Sequence, residues 1–558
     1  MKKYSLGIDF GTKSGRAVLV DIDTGKEEAA SVYEYPHGVI DEKLPLEEEV
    51  ELGLDWVLQH PYDYLEVVAN TIPAVLKEAE ISPEQVISVG IDFTACTMLP
   101  VDSKGEPLMA RAEFKENPYA WVKLWKHHSA QKYADRLNEI ARERGEDFLD
   151  RYGGEISSEW MLPKVWETYE EAPEVYEAAE NFMEAADWVI IQLTDNDKIR
   201  NISTAGYKAM WSKEDGFPEK DFFNALDPGL EDVVEEKLAG KICDLGEEAG
   251  KLKDEWAEKL KLTPEVSVAV ANVDSFVSVP AAGVSKPNKM VMVMGTSICH
   301  MVIDKKRYKV EGMTGCIKDG IVPGFYGYEA GQSAVGDIFE WFINNAVPGE
   351  YYQKAEESKQ NIFQYLQTRA EKLSPGENGL LALDWWNGNR SILNDVDITG
   401  LILGMDLQTK PEEIYRALIE ATAFGTNKII ETFEKSGVRI DEIYACGGLP
   451  RKDEMLMQIY ADVIGKEIMI AASKETPAVG AAMHGTIAAG AEKGGYEDIF
   501  EAAEKMGGIK DKTFKPIPEN QEIYEEIYQE YSRLHDYFGR GKNNVMKVLK
   551  NIKREAKG

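Results

Sequence analysis

The first 22 residues alternate short apolar runs with turns rich in glycine and hydroxyl side chains. Residues 4–9 and 16–21 have the aliphatic and β-branched content of strands, and Gly11-Thr12-Lys13-Ser14-Gly15 between them is typical of a tight turn. The pattern predicts a β-hairpin. The glycines of its turn leave room for backbone N–H groups to approach an anion closely.

A similar pattern recurs about half a chain later. Residues 289–294 predict a strand, Gly295-Thr296-Ser297 a turn, and residues 298–303 a second strand. The two hairpins stand at the start of the two halves of the chain. This indicates an internal duplication, with a phosphate-binding hairpin in each of two similar lobes.

The remaining periodicity is that of an α/β protein. We predict strands at residues 86–92, 98–101 and 444–448, a buried segment at 187–193, and helices at 62–79, 129–144, 411–434, 452–464, 476–489 and from Pro518 onward. The most apolar long stretch is 266–284. Because it contains Asn272, Asp274 and Pro280, it indicates a buried strand plus loop rather than a membrane span. No low-complexity linker appears, so we expect two lobes, 1–284 and 285–558, joined near residues 282–287.

Composition narrows the class of protein. The length of 558 residues predicts two to four domains, and 44% hydrophobic residues exclude a disordered chain. The net charge of −35 disfavours partners such as nucleic acid or an anionic membrane. The five cysteines stand singly and in odd number, which fits a reducing cytoplasm and disfavours zinc and iron–sulfur sites. The N-terminus lacks the apolar core of a secretory signal.

Two aspartates have the setting of catalytic groups. Asp9 ends a strand beside the first hairpin turn, where a Mg²⁺ held by nucleotide phosphates is expected; the alternative is an aspartate that caps the turn. Asp274 follows an apolar, β-branched run, so it is expected at a strand end. There a carboxylate can accept the proton of an attacking hydroxyl, and the alternative is a cap on the next helix.

Four segments together resemble the sugar-kinase branch of the actin/hexokinase superfamily, and more closely the FGGY carbohydrate kinases. They are Asp9-Phe10-Gly11-Thr12, Gly295-Thr296-Ser297, Gly447-Gly448-Leu449-Pro450-Arg451 and the stretch from Gly404 to Glu420. Residues 58–64, 205–211, 328–333 and 387–391 are similar to the ribulokinase group of that family. The resemblance implies two ribonuclease-H-like α/β lobes around an interlobe cleft.

The resemblance also implies the site. Asp274 matches the catalytic base of the family, and Asp9 and Asp274 are the candidates for contact with Mg²⁺. ATP is expected at Gly11, Thr12, Lys13, Gly295, Thr296, Gly447 and Gly448. The sugar is expected at Ala95, Cys96, Trp125, Lys208, Asp274 and Glu329.

Several of these positions have an ordinary alternative. Cys96 stands where glycine or serine is more usual, which puts a side-chain role there in doubt. Trp125 is equally well explained as a core residue, and Lys13, Lys208 and Glu329 as solvated surface charges. The adjacent His127 and His128 have no further ligands nearby in sequence and do not indicate a metal site.

The implied activity is ATP-dependent phosphorylation of L-ribulose to L-ribulose 5-phosphate in L-arabinose catabolism, in the cytoplasm. Another pentulose or pentitol, such as D-ribulose or xylulose, is the alternative substrate. An ATP-dependent chaperone or actin-like scaffold would not need the segments around Lys208 and Glu329. A non-catalytic sugar regulator is expected to lack Asp9 or Asp274, and both are present. A homodimer is a further expectation.

Overall fold

The computed structural model describes residues 2–46, 49–53, 55–196 and 199–557. The chain divides into two compact units. Unit 1 comprises Met1–Ser285, Cys316–Gly327 and Glu475–Gly508, and unit 2 comprises Lys286–Gly315, Tyr328–Lys474 and Ile509–Gly558. No helix of the described residues is long and apolar enough to cross a membrane.

Unit 1 contains both long strands and several short ones. Its strands are Tyr4–Phe10, Ser14–Asp21, Glu27–Glu34, Leu58–Gln59, Val86–Phe93, Met98–Val101, Val122–Lys123, Asn181–Glu184, Ile199–Asn201, Lys241–Cys243, Glu248–Lys251, Ser267–Ala269 and Asn272–Val273. Its α-helices are Pro61–Ala79, Gln131–Arg144, Met161–Glu171, Pro173–Ala178, Ala185–Leu193, Ile202–Ala209, Lys220–Leu226, Val233–Lys237, Asp254–Leu260, Asp274–Ala281, Thr476–Ala489 and Ile499–Met506.

Unit 2 is built from fewer strands and longer helices. Its strands are Lys289–Met294, Ile298–Asp304, Leu381–Leu383, Leu401–Leu403, Glu442–Cys446, Ile468–Ala471 and Ile509–Phe514, while Gly315–Lys318 and Tyr326–Gln332 lie where the chain passes between units. Its α-helices are Gly336–Ala346, Gly349–Glu357, Ile362–Ala370, Pro411–Lys435, Leu449–Lys452, Glu454–Ile464, Pro518–Gly539 and Val545–Lys557.

The main sheet of unit 1 is mixed. Its strand order is Glu248–Lys251, Ser267–Ala269, Val86–Phe93, Tyr4–Phe10, Ser14–Asp21 and Glu27–Glu34, and Asn272–Val273 also pairs with Val86–Phe93. The first predicted hairpin is confirmed, because Tyr4–Phe10 pairs antiparallel with Ser14–Asp21. Tyr4–Phe10 also runs parallel to Val86–Phe93, so the carboxyl ends of these two strands meet at one edge.

The sheet of unit 2 repeats this arrangement. From Tyr326–Gln332 the order is Ile298–Asp304, Lys289–Met294, Glu442–Cys446, Ile468–Ala471 and Ile509–Phe514. The second hairpin is antiparallel, and its first strand runs parallel to Glu442–Cys446, as Tyr4–Phe10 does to Val86–Phe93. Two sheets with the same strand order agree with the predicted duplication and with the predicted α/β fold class.

The helix Thr476–Ala489 packs directly on the central strands of the unit 1 sheet. A Cβ atom on Gly7 would lie 1.7 Å from the carbonyl oxygen of Ala478, and one on Gly90 would lie 1.8 Å from that of Ala481. The alanines and glycines of the helix therefore serve close packing, as their small side chains predict.

The prediction for residues 266–284 was wrong in part. Short strands form at Ser267–Ala269 and Asn272–Val273, but the next residues form the helix Asp274–Ala281 rather than a loop. The valines of this stretch have the β-branched composition of a strand, and Pro280 argues against a helix interior. Burial of this helix overrides both local preferences, because seven of its eight residues, Ser275 to Ala281, are buried. Residues 187–193, predicted as a buried segment, belong to the helix Ala185–Leu193.

Candidate active site

Three carboxylates lie at the ends of neighbouring strands in unit 1. Asp9 pairs in register with Asp92 of the adjacent parallel strand, and Asp92 in turn pairs with Asn272. Asp274 directly follows that short strand, Asn272–Val273. The sheet therefore brings the two predicted aspartates, Asp9 and Asp274, to the same edge, with Asp92 on the strand between them.

Asp9 is buried and has a fixed cationic neighbour. Its Oδ2 lies 3.3 Å from Nε of Arg16, the residue opposite it in the hairpin. Arg16 is held from its other side by Glu475, whose Oε2 lies 2.6 Å from Nη1. Burial raises the pKa of Asp9, and the charge of Arg16 opposes that rise. The result is an oriented carboxylate with an arginine beside it.

Asp92 is a site residue that the sequence analysis missed. Its side chain is fully buried, and neither carboxylate oxygen finds a hydrogen-bond donor among the described residues. Burial, and then the charges of Asp9 and Asp274, raise the pKa of Asp92 well above its usual range. Burial and the neighbouring carboxylates therefore favour the protonated form of Asp92.

Asp274 begins a helix. Val273 is the N-cap of Asp274–Ala281, and Asp274 is the first helical residue. Its Oδ1 accepts a hydrogen bond from the backbone N–H of Ser275 at 2.6 Å. Asp274 therefore stands at a helix N-terminus, as the alternative of a helix-capping aspartate expected. The helix macrodipole favours a carboxylate in that place. The same geometry leaves the side chain only partly buried at a strand end.

The first hairpin turn is anchored by several hydrogen bonds. Tyr35 donates its hydroxyl to the carbonyl oxygen of Gly11 at 2.8 Å, and Gln59 donates to that of Thr12 at 2.8 Å. The indole Nε1 of Trp125 donates to Oγ1 of Thr12 at 3.1 Å. A candidate ATP residue, Thr12, is therefore tied directly to a candidate sugar residue, Trp125. Lys13 is exposed.

The corresponding residues of unit 2 also lie on neighbouring strand ends. Gly295 and Thr296 are exposed and follow the strand that pairs with Glu442–Cys446. Gly447 comes next after that partner strand, with φ of +98°, and a Cβ there would lie 2.4 Å from the carbonyl oxygen of Met294. Gly448 has no atom within 4 Å of a Cβ position. The structure thus brings the second hairpin and the glycine pair together.

The predicted sugar residues are divided between the units. Ala95 is half-buried and Cys96 buried in the loop after Val86–Phe93, and Lys208 is buried in the helix Ile202–Ala209, with its Nζ 5.6 Å from the ring centre of Trp160. Ser203 of the same helix donates to Oδ1 of Asn272 at 2.9 Å, which links it to the strand before Asp274. Glu329 is buried in the strand Tyr326–Gln332 and belongs to unit 2. Neither Lys208 nor Glu329 is a solvated surface charge.

The chain matches known families over nearly its whole length. The N-terminal domain of the FGGY family of carbohydrate kinases matches residues 4–279, and its C-terminal domain matches residues 290–489. The ribulokinase of Geobacillus thermodenitrificans is 60% identical over 556 residues, which cover 100% of this chain and 98% of the relative. The ribulokinase of Mycolicibacterium smegmatis is 45% identical over 555 residues, or 99% of this chain and 97% of the relative.

Solved structures agree on the fold. The ligand-bound xylulose kinase from Lactobacillus acidophilus has a TM-score of 0.77 at 17% identity, with 96% of this chain and 98% of that chain covered. At that identity the likeness concerns the fold alone. The repeated sheet order, the strand-end glycines and both domain matches lead to one conclusion: the chain belongs to the FGGY family of carbohydrate kinases.

Proposed function

We propose that this sugar kinase transfers the γ-phosphoryl group of ATP to the terminal hydroxyl of L-ribulose, giving L-ribulose 5-phosphate in L-arabinose catabolism. The observation that carries the proposal is the meeting of Asp9, Asp92 and Asp274 at one sheet edge, in a chain whose full-length relatives are named ribulokinases. We place this activity in the cytoplasm and expect a homodimer.

Asp274 is the proposed catalytic base. In-line phosphoryl transfer needs a carboxylate that accepts the proton of the attacking hydroxyl. Asp274 is partly buried, and its Oδ1 accepts the N–H of Ser275. The strand before it and the helix after it fix its main chain, so the carboxylate is held in position for the sugar hydroxyl.

The donor set at this edge fits Mg²⁺. Asp92 has two buried oxygens without a donor among the described residues, and carboxylate oxygens are the ligands that Mg²⁺ takes. Asp9 and Asp274 would hold the ion, which supplies positive charge to the phosphate oxygens of ATP when bound. Arg16 orients Asp9 for this contact.

The remaining roles follow the chemistry of each group. Backbone N–H groups at Gly11–Thr12 and Gly295–Thr296 bind phosphate oxygens and stabilise the charge on the transferring group, and Lys13 contributes a cation. Adenosine lies against Gly447 and Gly448.

The sugar is bound by a separate group of side chains. Lys208 donates to sugar hydroxyls, and Glu329 accepts from them. Trp125 packs on the C–H face of the sugar, and Ala95 and Cys96 line its binding loop. Residues 1–284 supply the base and most of the sugar groups, and residues 285–558 supply Glu329 and most of the ATP groups.

A sugar panel tests the substrate. ADP release with Mg·ATP is measured against L-ribulose, D-ribulose, the two xyluloses, glycerol and no sugar. We expect the highest kcat/KM for L-ribulose. A higher kcat/KM for another pentulose would make that sugar the proposed substrate and leave the proposed phosphoryl transfer unchanged. ADP release that no sugar stimulates, from folded protein that binds ATP, would contradict the kinase proposal.

Gly448→Ala tests the adenosine site. The added Cβ meets no atom within 4 Å and the residue has φ of −76°, so the free energy of unfolding should change by less than about 1 kcal/mol. If adenosine lies against Gly448, the methyl group should raise KM for ATP by about fivefold or more, with KM for the sugar unchanged. Gly349→Ala, which also adds a Cβ in open space, is the matched control. An unchanged KM for ATP would remove Gly448 from the nucleotide site.

A further inference from the structure

Lys164 is a fully buried lysine in the helix Met161–Glu171 of unit 1. Its Nζ donates to the carbonyl oxygen of Cys96 at 2.9 Å and to that of Leu124 at 3.0 Å. No carboxylate of the described residues forms an ion pair with it. Its buried neighbour Lys123 differs, because Nζ of Lys123 lies 2.8 Å from Oε2 of Glu167.

Stability does not account for this arrangement. Burial lowers the pKa of Lys164, because the ammonium has lost its water. A buried charge without an ionic partner is costly, and a methionine of similar size would fill the same volume without that cost. What the ammonium provides, and methionine would not, is a donor that holds two backbone carbonyls from different segments.

The first of these carbonyls belongs to a strained residue. Cys96 has φ of +60°, a left-handed conformation that is unfavourable for a residue with a Cβ. The ammonium of Lys164 therefore holds the carbonyl of a residue whose backbone conformation is strained.

The second carbonyl precedes a candidate sugar residue. Leu124 is followed by Trp125, whose indole donates to Thr12. The Leu124 N–H donates to the carbonyl of Val57 at 3.0 Å. With the bond from Lys164, both the N–H and the carbonyl of Leu124 are therefore hydrogen-bonded. One side chain thus joins the loop that carries Ala95 and Cys96 to the segment that carries Trp125.

We propose that Lys164 is a positioning residue of the sugar site, which sets the spacing between the 94–97 loop and Trp125 through the carbonyls of Cys96 and Leu124. The inference rests on the proposed function, because these two segments are proposed to contact the sugar. Lys164 itself acts through the backbone and takes no part in proton or phosphoryl transfer.

Lys164→Met is the direct test. Loss of two charge-assisted hydrogen bonds should raise KM for the sugar about tenfold or more, with the affinity for ADP within twofold of wild type. Lys123→Met is the matched control, since it removes the neighbouring buried ammonium and its 2.8 Å ion pair with Glu167. We expect Lys123→Met to lower the thermal midpoint more than Lys164→Met and to raise the sugar KM less.

A second substitution tests the mechanism. Glycine adopts positive φ without strain, so Cys96→Gly in the Lys164→Met background should keep the loop in place and recover part of the lost sugar affinity. A purely structural role for Lys164 would give no such rescue. Additive effects of the two substitutions would overturn the link between the ammonium and the loop.

Cysteine labelling separates this inference from the proposed function, because it needs no sugar. Iodoacetamide labelling is read by mass spectrometry at Cys96 and at Cys243, which is equally buried elsewhere in unit 1. We expect Lys164→Met to raise labelling of Cys96 and not of Cys243. Equal rises at both cysteines, or no change in labelling and in sugar KM, would overturn the proposal. A wild type without pentulose turnover contradicts only the proposed function.

Discussion

Asp274→Asn is expected to lower kcat for the sugar by about 10²- to 10⁴-fold, the range that a general base contributes. The amide occupies the same volume and still accepts the hydrogen bond from the Ser275 N–H, so the helix Asp274–Ala281 should form as before. What is lost is the group that accepts the proton from the attacking hydroxyl. Steady-state ADP release with saturating ATP measures the effect, and ADP affinity should change little.

The control for this experiment is Asp254→Asn. Asp254 is also the first residue of a helix, Asp254–Leu260, and its side chain is exposed. Both substitutions remove one negative charge from a helix N-terminus. Both therefore lose the favourable interaction of a carboxylate with the helix macrodipole. Retention of more than about a tenth of kcat by Asp274→Asn would assign the base to another group and contradict the proposed role.

The hairpins show what local pattern can predict. The alternation of apolar residues and the glycine-rich turns located Tyr4–Phe10, Ser14–Asp21, Lys289–Met294 and Ile298–Asp304 to within two residues. These elements are defined by short-range chemistry, in which strand-forming residues flank turn-forming ones. The strand-end position of Asp9 follows from the same pattern.

Asp92 and Lys164 show where local pattern stops. Asp92 ends a predicted strand just as Asp9 does, so its strand-end position could be read from the sequence. Its place in the site depends on which strands become neighbours, and the local pattern does not give that. Lys164 stands in a helix, where a lysine is usually exposed. Its burial depends on two carbonyls 40 and 68 residues away in sequence, which no local pattern reveals.

The helix Thr476–Ala489 was predicted at its observed bounds, but its place was not predicted. It lies late in the half of the chain assigned to ATP, yet it packs on the unit 1 sheet through contacts at Gly7 and Gly90. Alanine and glycine content indicates close packing and does not identify the partner. The partner is determined by strands that carry glycines at facing positions.

That packing leads to the second large effect. Gly7→Ala is expected to destabilise the protein by about 4 kcal/mol or more, in the range of severe overpacking. The new Cβ would lie 1.7 Å from the carbonyl oxygen of Ala478, and the obstacle is backbone, which cannot rotate away as a side chain can. Either the helix Thr476–Ala489 must then shift, or the strand Tyr4–Phe10, which carries Asp9.

The measurement is the thermal midpoint of unfolding, which should fall by about 5 °C or more if the variant folds at all. Gly349→Ala is the control, since the same methyl group there meets no atom within 4 Å and should leave the midpoint nearly unchanged. Because the shifted strand carries Asp9, Gly7→Ala should also lose activity below its midpoint, while Gly349→Ala should not. A Gly7→Ala protein with the wild-type midpoint and activity would contradict the close approach of helix and strand. The Cβ of residue 7 would then not lie 1.7 Å from the carbonyl oxygen of Ala478.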